Sequence, residues 1–185
     1  FGGLALEDPA GDSPLVPGVT NLQAALILGT LPFFAGVSSH FCAGNFDTDG
    51  MPTGLRFLDT EVLVDFMAYA PPYEPVAYLR DEYLPSWSDA SPWDDHLGAV
   101  TVPILFVVAR GGFGYTGLHT LDLLGSTDVT VQEHGWGADD NALEYGHLDL
   151  FLDRDAAARV WQPVLTWVRD HSRPGVRQGA VVSQS

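Results

Sequence analysis

Apolar and polar positions alternate in a strand, helix, strand, helix order that is clearest over residues 102–171. Residues 102–109 form a continuous apolar run, the pattern of a strand buried on both faces. Gly111-Gly112-Phe113-Gly114-Tyr115-Thr116-Gly117 follows as a loop, and residues 118–124 predict a helix closed by Gly125. Residues 128–134 set Val129 and Val131 between polar neighbours, which predicts a second strand. Over residues 154–171, Ala157, Val160, Trp161, Val164, Leu165 and Val168 recur at helical spacing and predict a terminal helix packed on the sheet. Two strands joined through a helix by short connections imply a parallel sheet, in which ligands and catalytic groups gather at the carboxyl ends of the strands.

Upstream the pattern is less regular. Residues 1–6 are apolar and stop at Glu7-Asp8-Pro9-Ala10-Gly11, which predicts a short buried strand ended by a turn. Residues 19–35 predict a helix capped by Thr20 or Asn21 and broken at Pro32, and residues 36–54 read as loop. Residues 59–69 predict a further helix, with Thr60 as cap, Glu61 in its first turn, and Val62, Phe66 and Met67 on one face. Pro71-Pro72 ends it, and another short helix is expected at 74–82. The expected division is a core strand and turn at 1–12, a helical insertion at 13–98, a second core portion at 99–171, and a disordered tail at 172–185.

Composition narrows the function classes. The chain has 185 residues, 46% of them hydrophobic, enough for one domain with a sizeable core. Twenty-four acidic residues against eight basic ones give a net charge of -16, which argues against nucleic acid and anionic membranes as partners. All the basic residues are Arg, so lysine Schiff-base and P-loop chemistry are excluded. The single cysteine, Cys42, excludes an intrachain disulfide and a thiolate zinc site, and leaves the compartment open, with secretion slightly favoured. No run approaches the roughly 18 consecutive apolar residues of a membrane span. The six histidines do not fall at metal-ligand spacing, so no metal or cofactor is expected. The chain starts at Phe1 without Met, which suggests a processed amino terminus.

Gly146-His147-Leu148-Asp149-Leu150-Phe151 follows the second expected strand by about a dozen residues and precedes the Trp-bearing terminal helix. Here the chain resembles the α/β-hydrolase family, in particular serine esterases and lipases. The resemblance covers residues 99–171, and 1–11 more weakly. It implies an α/β-hydrolase fold, with His147 taking a proton from a serine hydroxyl and returning it to the leaving alcohol.

The same resemblance marks what is missing. Family members place an acid directly after the strand equivalent to 102–109, where this chain has Arg110-Gly111-Gly112-Phe113-Gly114. Pancreatic-type lipases carry it one strand earlier in a turn similar to Glu7-Asp8-Pro9-Ala10-Gly11, so Asp8, or its neighbour Glu7, is the implied acid that orients His147. Asp139, Asp140 and Glu144 are reserve candidates. No Gly-x-Ser-x-Gly elbow occurs. Ser38, in Gly36-Val37-Ser38-Ser39-His40, is only an imitation, and nothing cationic nearby in sequence activates Cys42.

The nucleophile is therefore expected on sequence before residue 1 or on a companion amino-terminal chain, and residues 1–185 alone should be inactive. The aromatic residues of the insertion resemble a lid and favour a small apolar or aromatic ester substrate. The reading from sequence is thus a carboxylic ester hydrolase. A dehalogenase or epoxide hydrolase with an Asp nucleophile stays open, as does a non-catalytic relative that binds an apolar ligand or a protein.

Overall fold

The computed structural model describes residues 2–31, 39–69, 95–137 and 143–172. The helix expected at 74–82 and residues 173–185 of the expected tail lie outside these residues.

The first helix, α1 (Gly2–Glu7), stands where a strand was expected. Leu, Ala and Glu are good helix formers, and the run contains no β-branched residue to favour a pleated surface. Gly2 and Ala5, three apart, are buried, while Leu4 and Leu6 are exposed. The buried face packs on α3 (Thr60–Ala68) and α2 (Asn21–Thr30). At Gly2 only glycine fits, because a Cβ would lie 2.1 Å from the backbone nitrogen of Ala68.

Helix α2 begins with a capping box. The Thr20 hydroxyl accepts from Gln23 N at 3.2 Å, and the Gln23 side chain accepts from Thr20 N at 3.0 Å. Helix α3 starts from Asp59 rather than from a Thr60 cap, and Asp59 makes no capping bond because its carboxylate pairs with Arg154.

The stretch expected as loop contains an antiparallel hairpin, β1 (Gly44–Phe46) with β2 (Pro52–Leu55). Its turn is set by Asp47, whose Oδ1 accepts from Asp49 N and Met51 N, and by Gly50 at φ 78°. Strand β3 (Ile104–Ala109) pairs in parallel with β4 (Val129–His134), in register from Ile104 opposite Val129 to Ala109 opposite His134. Helix α4 (Leu118–Leu123) lies between them in sequence, after a 3-10 turn at Phe113–Gly117. These two strands are the whole of the parallel sheet among the described residues. That is why Ile104 to Val107 are only half-buried, although the sequence predicts burial on both faces.

After β4 come α5 (Asp149–Leu152), one π-helical turn at Ala157–Trp161, and α6 (Gln162–His171). The sequence predicts one continuous helix here. Pro163 has no N–H to give the fourth carbonyl back, and the Gln162 N–H reaches five residues back, to Ala157 O.

The described residues of the expected helical insertion pack with those of the expected core. Ala43 and Phe57 pack with Ala109, Tyr145, Leu150 and Val160 in one buried cluster, and Leu26, Cys42, Leu55, Leu58 and Leu63 form another. No helix among the described residues is long and apolar enough to cross a membrane.

Candidate functional site around His147

The site is assembled where β3 ends. Gly111 N donates to Tyr145 O at 2.8 Å, and Gly111 O accepts from His40 N at 3.0 Å. The chain at 39–43 is thereby laid against the loop that carries His147. His147 N donates to His40 O at 3.1 Å and Leu148 N donates to Phe41 O at 2.6 Å. The glycines allow this close approach. A Cβ on Gly112 would lie 2.9 Å from His147 N, and one on Gly111 would lie 2.3 Å from the His40 ring. The run Arg110-Gly111-Gly112, which the sequence showed only as a missing acid, is the seat of the histidine loop.

His147 is half-buried, with its ring edge-on to Phe113 at 5.7 Å and to Phe151 at 6.1 Å. Burial among these rings lowers its pKa from the usual 6.5 and favours the neutral imidazole, the form a general base requires. An apolar groove of about 510 Å³ adjoins it, lined among others by Leu105, Val107, Phe151, Val160, Trp161 and Trp167.

The expected acid is elsewhere. Glu7 and Asp8 are exposed at the end of α1, and Asp8 Oδ1 accepts from Gly11 N at 3.0 Å within its own turn. Among the described residues neither carboxylate bonds to His147. The change of residues 1–6 from strand to helix explains this, because Asp8 no longer leaves the end of a sheet strand. Ser38, Asp139 and Asp140 lie outside the described residues.

Glu144, a reserve candidate, is fully buried three residues before His147, but it faces another way. Its Oε2 accepts from Trp136 N at 2.5 Å, and its Oε1 lies 3.6 Å from the Arg110 guanidinium. Arg110 also pairs with Glu133 at 2.9 Å, and the Tyr115 hydroxyl donates to Glu133 at 2.8 Å.

Three buried residues were not singled out from sequence. The His40 ring donates from Nε2 to Glu144 O at 2.8 Å and ties the 39–43 segment to the histidine loop. Tyr145 donates its hydroxyl to Asp153 at 2.5 Å. Asp149, wholly buried, accepts at Oδ2 from Ala43 N and Gly146 N, both at 2.8 Å. Cys42 is buried, and desolvation pushes its thiol pKa far up, which leaves it inert as a nucleophile. Among the described residues no group of three or more His, Cys, Asp or Glu could hold a metal ion.

Comparison with protein-family models, with curated proteins and with solved structures returns no match.

Proposed function

We propose that the chain is the carboxyl-terminal part of a serine ester hydrolase of α/β-hydrolase type, with His147 as general base acting on an apolar or aromatic ester. The observation that carries this reading is the position of His147. It sits on the loop after the second of two parallel strands, against the glycine turn at the carboxyl end of the first, with its imidazole held toward the neutral form. The adjoining groove gives an acyl or aryl group an apolar wall.

The serine and its oxyanion hole come from sequence before residue 1 or from a companion chain. Support for such a segment comes from β3. Ile104 N and Arg110 N turn toward β4, so the alternate Leu105 and Val107 turn their backbone groups to an edge that no described strand pairs. An apolar strand with a free edge takes up another strand readily.

The test uses the protein together with the segment that bears the nucleophile. A fluorophosphonate ester should label a serine, and His147→Ala should abolish hydrolysis of p-nitrophenyl butyrate while the circular dichroism stays unchanged. Normal hydrolysis by that variant refutes the assignment.

A non-catalytic relative that binds an apolar ligand is the second reading. It is favoured by the lack of any carboxylate bonded to His147 among the described residues. Reproducible absence of labelling, together with tight binding of an apolar ligand, would decide for it.

A further inference from the structure

We propose that Asp149 is a positioning residue: the buried acceptor that locks the 39–43 segment to the turn carrying His147. One oxygen, Oδ2, takes both the Ala43 N–H and the Gly146 N–H at 2.8 Å. Those two amides belong to chain segments about a hundred residues apart, and the histidine loop is held between them. The contact is tight, because a Cβ on Gly146 would meet Phe41 O at 2.5 Å and Cys42 Cα at 2.8 Å. The bonds from His147 N to His40 O and from Leu148 N to Phe41 O continue the same junction on the other side of His147.

Asp149 is also the first residue of α5, so one side chain fixes the loop, the crossing segment and the helix that follows. Its second oxygen, Oδ1, is buried without a hydrogen-bond partner among the described residues. The negative charge is thus poorly accommodated, and what the site uses is an acceptor for two amides. An asparagine supplies the same acceptor, whereas an alanine leaves two buried N–H groups unsatisfied.

The catalytic consequence rests on the reading of His147 as the base, since a displacement of about 1 Å at a reacting group costs on the order of a hundredfold in rate. In the protein with its nucleophile-bearing segment, Asp149→Asn should keep kcat on p-nitrophenyl butyrate within about threefold of the parent. Asp149→Ala should lower kcat by about tenfold or more, with KM within about threefold. An equal loss in the two variants, or an unchanged kcat in a folded Asp149→Ala, overturns the proposal.

Amide hydrogen exchange gives a readout without activity and without the alanine variant. In the parent and in Asp149→Asn, the Ala43 and Gly146 amides should exchange within about threefold of each other, because one acceptor protects both. Rates more than about tenfold apart overturn the clamp. If His147→Ala hydrolyses the ester normally, the hydrolase reading falls, and exchange alone judges Asp149.

Discussion

Asp149→Asn also makes a sharp prediction about stability. The carboxyl group is fully buried, and desolvation raises its pKa from 3.8 to about 7 even though two backbone amides favour the charged form. The nearby Asp153 adds to the rise. The folded pKa therefore exceeds the unfolded one, so between these values the folded state holds a proton that the unfolded state has released. Stability must then fall as pH rises from about 3.8 to about 7. A difference of about three units at 1.36 kcal/mol per unit gives a ceiling of about 4 kcal/mol lost above pH 7.

Asparagine cannot ionise, so it escapes this loss. It adds a constant cost of about 1–3 kcal/mol, because its NH₂ group falls where Oδ1 has no partner among the described residues. The assay is urea unfolding of parent and variant from pH 4 to pH 8, with the difference taken at each pH so that the other titrations cancel. The variant should gain on the parent with rising pH at up to about 1.4 kcal/mol per unit, and level off above pH 7. A pH-independent difference, or one that moves the other way, refutes the reasoning.

Three further outcomes follow from the same site. Gly111→Ala should cost about 1–3 kcal/mol in denaturant unfolding, since its methyl group would overlap the buried His40 ring. Arg110→Met should lower the urea midpoint, because it removes the guanidinium beside the buried Glu144. With the nucleophile-bearing segment present, the acid limb of kcat/KM should fall below pH 6.5: burial lowers the His147 pKa, and the neutral base therefore persists to lower pH.

The parallel pair was legible because both strands carry their own signal. The apolar run at 102–109 and the alternation at 128–134 gave strands ending at Ala109 and His134, where they are observed. The hairpin of β1 and β2 was hidden because its strands are three and four residues long and rich in Gly, Asn and Pro. Residues 1–6 misled because a short apolar run does not distinguish a buried strand from a buried helix face. At the site, His147 was visible through its place after a strand. The contact of Asp149, in the same motif, was not, because it is made with Ala43, which sequence spacing cannot bring near.

The two-stranded sheet seen among the described residues bears on the proposed partner segment. Besides the edge of β3 that no described strand pairs, Val129 and Val131 are 38% and 47% exposed on the face opposite α6. A second copy is a poor occupant of that edge. Two identical strands related by a twofold axis pair antiparallel, which puts the two His147 loops at opposite ends of the joint sheet and completes neither site. It would also bring together two chains of net charge -16. A parallel strand of different sequence avoids the first problem, since it would run beside Leu105 and Val107 toward the end of β3 where Tyr145 and His40 already bond Gly111. Under the proposed function, the serine on such a segment would have to reach the His147 imidazole to give it a proton.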